Sequence, residues 1–372
     1  MIVLGTRPEA VKLAPVAAAL RARPEMRIVV VTTGQHAHMV APVARVLGLS
    51  IDHDLAIMSH GQSLNQIVSR TIDGLDALIT EELPEMIIVQ GDTSTAMAAA
   101  LAGFNRNVAI AHVEAGLRTG DMTSPWPEEA NRVLIGRLAT LHFAPTKMAA
   151  ANLIAEGVAD GDVHMVGNTV VDAAHLAAKL ARNEASETGA PMILVTSHRR
   201  ESIGEPMENA FRGIVEAVEG RDVRVLFPVH PNPRVQRIAQ RVMGWTPNIE
   251  MVAPLDYDDL VTALRRCHFV VTDSGGIVEE AAAFGKPALV LRESTERTES
   301  IDSGGAELIG TNSDRVRDRI VALLEDHDLH STMSNAANPY GDGKSSERIA
   351  EALSARFAQA TIRDEARAMA KV

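Results

Sequence analysis

Three carboxylates have the type and placement for proton chemistry. Asp92 lies in QGDT (90–93), Glu114 in HVEAGLRTGD (112–121) and Glu128 in SPWPEEANR (124–132). Asp92 and Glu114 come just after short apolar runs, MIIVQ (86–90) and VAIAHV (108–113), and Glu128 follows in the connecting loop. Carboxylates drawn to one place repel one another, and tuned acid–base work is a reason for a fold to bear that cost. Plainer readings stand beside this one. Asp92 would also serve as the cap of a helix starting near Ser94, and Glu128 and Glu129 as partners of a helix dipole.

Cationic and amide-rich turns recur along the chain. GTRPEAVK (5–12) combines Gly5 for a tight turn, Thr6 as a cap and Pro8 for the first helical turn. Arg7 and Lys12 add positive charge where the helix dipole is already positive, which describes an anion site. TSHRRES (196–202) sets His198, Arg199 and Arg200 in a loop ahead of a helix, suited to clamp a phosphate, and PVHPNP (228–233) repeats the idea with His230. In TDSGGIVEE (272–280), Ser274, Gly275 and Gly276 lead into a helix whose free amides can meet a diphosphate. Glu280 follows about one turn in, where a carboxylate can hold ribose hydroxyls. Arg292 and Arg297 come later, in RESTER (292–297).

These residues follow strand-like segments. IVL (2–4), RIVVVT (27–32), MIIVQ (86–90), VAIAHV (108–113), LHFAP (141–145) and VHMVG (163–167) alternate with helix-period stretches such as 8–22 and 63–83. A second series begins after the polar stretch 181–191: MILVT (192–196), VRVLFPV (223–229), IEMVAP (249–254), HFVVTD (268–273), ALVLR (288–292) and ELIG (307–310). This is the βαβ rhythm of doubly wound parallel sheets, in which ligands bind beyond the carboxyl ends of the strands. The expected fold class is α/β with two Rossmann-like domains, 1–167 and 168–345. A C-terminal helix and tail, 346–372, should pack back on the first domain, with the last dozen residues frayed.

Composition narrows the partners. A chain of 372 residues suits two domains, and with 3% aromatics the core must be built from Ala, Val, Leu and Ile. A net charge of −12 excludes general affinity for nucleic-acid backbones, so an anion must be held by local groups. The one cysteine, Cys267, in LRRCHFVV, reads as a small buried hydrophobe. The opening MIVLGTRPEA reads as a strand and turn rather than a secretory segment, and no apolar run is long enough to span a bilayer, so the cytoplasm is the expected compartment. GxGxxG, HExxH and CxxC patterns are absent, so neither a redox cofactor nor a metal is expected. GDGKS (341–345) is no phosphate loop, because Asn338 stands where its first glycine belongs.

Taken in order and spacing, GTRPE (5–9), QGDT, HVEAGLRTGD, SPWPEEANR, HRRES (198–202), PVHPNP, TDSGGIVEE and NPYGDG (338–343) resemble the non-hydrolysing UDP-N-acetylglucosamine 2-epimerases from about residue 2 to about 353. The resemblance implies a GT-B-like fold with its active site in the interdomain cleft, and interconversion of UDP-N-acetylglucosamine and UDP-N-acetylmannosamine. It implies elimination of UDP to a glycal and re-addition after reprotonation on the other face, with no cofactor. Asp92, Glu114 and Glu128 would be the acid–base groups, with the division of roles left open, and His198 would join the catalytic set. Arg7, Lys12, Ser274, Gly275, Gly276 and Arg297 would serve the substrate's phosphates, Glu280 its ribose, and the backbone around Pro254 and Leu255 its uracil. A homodimer and a part in polysaccharide precursor synthesis are also implied.

There are departures from the family pattern. Leu255 and Leu260 stand where some members have Gln and Phe, and Ser197 replaces a frequent Gly. The apolar run before GTRPE is short, which points to a start further upstream. Some bacterial members bind a second UDP-N-acetylglucosamine as an activator; Gln35, His36, Gln62 and Arg200 lie in the segments concerned, and His60 alters the local pattern. Competing readings differ in what they need. A glycosyltransferase of this fold needs an acceptor, and a hydrolysing epimerase would release free N-acetylmannosamine. A relative acting on a diacetamido uronic acid sugar needs a further carboxylate contact. A non-catalytic UDP-sugar sensor does not need the three acids together.

Overall fold

The computed structural model describes residues 1–35, 37–59, 61–180, 189–199, 202–295 and 297–369. Its contacts divide the chain into unit 1, Met1–Ala173 with Gly341–Val372, and unit 2, Ala174–Tyr340. These limits differ from 167/168 and 345/346 for a physical reason. The amides of Ser345 and Ser346 donate to the Asp172 carboxylate at 3.2 and 2.7 Å, which ties the start of the last helix to the segment after residue 167.

Unit 1 holds a parallel sheet of strands β1 (Ile2–Leu4), β2 (Val30–Thr32), β3 (His53–Asp54), β4 (Met86–Gln90), β5 (Ala109–Val113), β6 (Leu141–Ala144) and β7 (Val163–Met165). Their order is β3-β2-β1-β4-β5-β6-β7, so the winding reverses between β1 and β4. Sequence reading missed β3: it is a short edge strand whose His53 and Asp54 carry no apolar signal. Buried Val3, Val31, Ile87, Val89 and Ile110 line one core face, and Ala96, Ala99 and Ala100 of the helix Ser94–Asn105 pack against them. Such small side chains let a helix lie close on a sheet.

Unit 2 repeats the plan with β8 (Met192–Thr196), β9 (Arg224–Pro228), β10 (Ile249–Val252), β11 (Phe269–Thr272), β12 (Ala288–Val290) and β13 (Ala306–Leu308), in the order β10-β9-β8-β11-β12-β13. Its core gathers Ile193, Val195, Phe211, Phe227, Phe269 and Ile320. Cys267 is buried, and burial pushes its thiol up to about 12.

The last helix runs Ser345–Met369 and packs on the helix Arg7–Arg21. Residues 361–369 continue this helix, as their Ala, Arg and Glu content favours. No helix among the described residues is long and apolar enough to cross a membrane.

Candidate active site

β4 and β5 pair in parallel with Gln90 opposite Val113. Asp92 and Glu114 therefore leave the same end of one sheet. The capping alternative for Asp92 does not hold. Thr93 is the N-cap of the helix Ser94–Asn105, and its hydroxyl accepts from the Ala96 amide at 3.0 Å. The Asp92 carboxylate meets Arg132 instead, at 2.7 Å from Nη2 and 2.8 Å from Nε, while the Asp92 carbonyl accepts from Asn131 Nδ2 at 2.8 Å.

Arg132 also reaches Glu129, Nη1 to Oε2 at 3.1 Å. Glu129 is buried and accepts the amides of Thr119 and Gly120 at 2.9 and 3.0 Å. It thus folds the loop before its own helix, Glu128–Leu138, as well as lying in that helix's first turn. Glu128 begins the helix, and its Oε2 is buried with no hydrogen-bond partner among the described residues.

Glu114 is a non-glycine residue in the left-handed region, with φ 62°, a conformation that costs an L-residue of the order of 1 kcal/mol. Its carboxylate accepts from the Lys12 ammonium at 2.6 Å and from the Gln90 amide. Lys12, grouped with Arg7 as an anion contact on sequence grounds, is therefore buried against a carboxylate. The mutual repulsion of the acids is answered by two cations, Lys12 and Arg132.

Glu9 joins the loop after β1 to the loop after β4. Its Oε2 accepts from the amides of Gly5 (3.1 Å) and Thr6 (2.7 Å) and from the Thr6 hydroxyl (2.7 Å), and its Oε1 accepts from the Thr93 hydroxyl at 2.8 Å. Burial raises the Glu9 carboxyl above its ordinary value, and these donors oppose the rise. Gly5 is required by close approach, since a Cβ there would lie 2.6 Å from the Thr33 hydroxyl and 2.7 Å from that of Thr95. Arg7, half-buried at the first position of its helix, has no hydrogen-bond or ion-pair partner among the described residues.

In unit 2 the organising group is Asp273, fully buried just after β11. It accepts from the Ser197 hydroxyl (2.9 Å) and the amides of His198 (2.9 Å) and Arg199 (3.0 Å), and lies 3.4 Å from His198 Nδ1. The loop after β8 is thus fixed by a carboxylate from the neighbouring strand. The His198 ring stacks on His230, with centroids 5.7 Å apart. Burial, then the nearby His198, lowers the His230 imidazole.

Ser274 is the N-cap of the helix Gly275–Ala283. Arg297 lies across Gly275, where a Cβ would sit 2.5 Å from the guanidinium carbon, and its Nε meets Glu279 Oε1 at 2.8 Å. Gly276 follows in the first turn, and Glu280 is buried beyond it. Pro254 is exposed after β10, while Leu255 and Leu260 pack against the core that holds Leu264 and Val278.

Gln35 accepts from the Thr95 hydroxyl at 2.9 Å. Gln62 accepts from the Ser59 amide (2.9 Å) and from Arg70 (3.0 Å), which holds its own loop together. His36 and Arg200 lie outside the described residues. Sequence reading did not assign Glu9, Gln90, Asn131, Arg132 or Asp273 to the site. Asp273 carried a usable signal, its place directly after a strand, and so did Glu9, three residues after Thr6 in a capping box; Gln90, Asn131 and Arg132 reveal themselves through Glu114 and Asp92, which are distant in sequence.

A family model described as UDP-N-acetylglucosamine 2-epimerase matches residues 18–354. The UDP-N-acetylglucosamine 2-epimerase of Salmonella typhimurium is 43% identical over 366 residues, covering 95% of this chain and 97% of its own. A solved Neisseria meningitidis UDP-GlcNAc 2-epimerase bound to UDP-GlcNAc aligns with a TM-score of 0.89 at 36% identity, covering 95% of this chain and 98% of the other. An S. aureus protein solved with UDP aligns with a TM-score of 0.89 at 43% identity, covering 96% of each chain. With strand-end carboxylates in unit 1 and a glycine-led helix start in unit 2, the chain belongs to the UDP-N-acetylglucosamine 2-epimerase family.

Proposed function

We propose that the protein interconverts UDP-N-acetylglucosamine and UDP-N-acetylmannosamine by eliminating and re-adding UDP. A carboxylate takes the proton from sugar carbon 2. The bond from carbon 1 to the UDP oxygen breaks, its electron pair leaves with UDP, and a glycal remains. A second acid returns a proton to carbon 2 from the opposite face as the UDP oxygen adds back to carbon 1. Atoms and electrons balance without an oxidant or reductant.

The acids are drawn from Asp92, Glu114 and Glu128. One observation carries this reading: Asp92 and Glu114 leave one end of one sheet, Glu128 opens the helix after β5, and the three stand in unlike surroundings. Glu114 meets Lys12, Asp92 meets Arg132, and Glu128 Oε2 is buried without a partner among the described residues. Such differences suit a reaction in which one group takes a proton and another returns it. The departing diphosphate needs donors already in place where charge develops. Arg7, His198, Ser274, the amides of Gly275 and Gly276, and Arg297 would supply them. Glu280 would hold the ribose, and the backbone at Pro254 and Leu255 the uracil. The proposal extends to a cytoplasmic homodimer, with Gln35 and Gln62 as contacts of an activating second nucleotide sugar.

The test is incubation with UDP-N-acetylglucosamine in heavy water, followed by NMR. Deuterium at carbon 2 with the UDP-linked manno epimer is expected. Free sugar would indicate hydrolysis, and no exchange while the nucleotide binds would overturn the reading.

A further inference from the structure

His112 is buried beside the carboxylates and has no part in the chemistry just described. It stands on β5, and its Nε2 lies 2.7 Å from the carbonyl oxygen of Gly91. A carbonyl only accepts, so Nε2 carries the proton and donates. Burial lowers the imidazole to about 3, so the ring stays neutral at ordinary pH and offers one N–H. That N–H is taken by the backbone, which leaves the ring without a proton to exchange.

What the bond does follows from where Gly91 lies. Gly91 has φ 70°, and its amide donates to the Val113 carbonyl at 3.0 Å. β5 therefore holds Gly91 by both its amide and its carbonyl. The Gly91 carbonyl belongs to the same planar peptide as the Asp92 nitrogen. Fixing that plane fixes the start of the Asp92 side chain. The grip is continued from two other directions, by Asn131 on the Asp92 carbonyl and by Glu9 on the Thr93 hydroxyl.

We propose that His112 is a positioning residue, whose Nε2–H bond to Gly91 sets the direction from which Asp92 presents its carboxylate. The catalytic half of this rests on the epimerase reading; the structural half does not. A misplacement of about 1 Å at a reacting group costs roughly 10²-fold in rate.

Three variants separate positioning from bulk. His112→Gln can return an N–H near the Nε2 position, His112→Asn is too short to reach Gly91, and His112→Phe fills the space without a donor. Carbon-2 exchange, kcat, KM, UDP affinity and amide hydrogen exchange across 90–97 are measured for each. His112→Phe and His112→Asn should lose roughly 10²-fold in kcat with UDP affinity unchanged within about twofold, and their amides at 91–97 should exchange faster. His112→Gln should stay within about fivefold of wild type and keep the protection. Wild-type kcat and protection in a folded Phe or Asn variant would overturn the proposal, as would a Gln variant that falls as far as Phe. If the wild-type protein itself exchanges no carbon-2 proton, the epimerase reading fails, and the amide exchange alone decides whether His112 holds the turn.

Discussion

Lys12 and Glu114, 102 positions apart in sequence, meet in a buried ion pair 2.6 Å long. The helix after β1 reaches the residue after β5 because β1 lies beside β4 and β4 beside β5. The pair keeps a carboxylate at the sheet end while offsetting the cost of burying it.

Removing the cation should therefore be costly. Breaking a buried pair from one side destabilises by about 3 kcal/mol or more, because the remaining charge is left without its partner. Lys12→Met is expected to lower urea-unfolding stability by about that amount and to slow carbon-2 exchange at least tenfold, roughly the cost of a displaced acid–base group. A variant as stable and as active as wild type would remove Lys12 from this role.

Arg132 bridges Asp92 and Glu129 with different nitrogens of one planar group. A lysine ammonium is a point charge and cannot span both. Arg132→Lys should lower kcat by roughly 10–100-fold while UDP binding, measured by calorimetry, stays near wild type. An equal loss in both quantities would indicate general misfolding instead.

Asp273 accepts three donors from the loop at 197–199. In Asp273→Asn, the side-chain NH2 would face N–H groups, and donors facing donors cost about 1–3 kcal/mol. UDP affinity should fall about tenfold or more, since His198 would lose its fixed setting. Unchanged affinity in titration calorimetry would show that the loop does not depend on this carboxylate.

Stability should fall on the acid side. His112 has a folded value of about 3 against 6.5 for the free group. Between those values the unfolded chain binds more protons, so the stability from a neutral ring is present above pH 6.5 and is lost as pH falls toward 3. From pH 7 to pH 5 the loss is about 2 kcal/mol. His268, lowered to about 4 by burial and then by His330, adds to it in the same direction. Urea midpoints at the two pH values should show this drop, and His112→Gln should show a smaller one. Equal slopes would contradict a buried neutral His112.

Much of the fold is legible in the sequence. Apolar runs interrupted by helix-period stretches predict both parallel sheets, because strands buried on two faces must be apolar throughout. Asp92 and Glu114 stand out in the same way, by their place just after such runs. The two-residue β3 escaped because an exposed edge strand needs no apolar pattern. The structure also corrects the plainer reading of Asp92, since Thr93 is the helix cap, whereas Glu128 and Glu129 do stand in the first turn of a helix.

What the residues alone determine is therefore which end of each strand carries chemistry and which residue types stand there. Which groups meet is a tertiary matter. Lys12 finds Glu114, Glu9 finds Thr93 and Asp273 finds the loop after β8 only because the strand order reverses beside β1 and beside β8, while Arg132 finds Asp92 because β4 and β5 lie side by side. That reversal joins segments distant in sequence, and hydrophobic periodicity, a local property of the chain, carries no record of it.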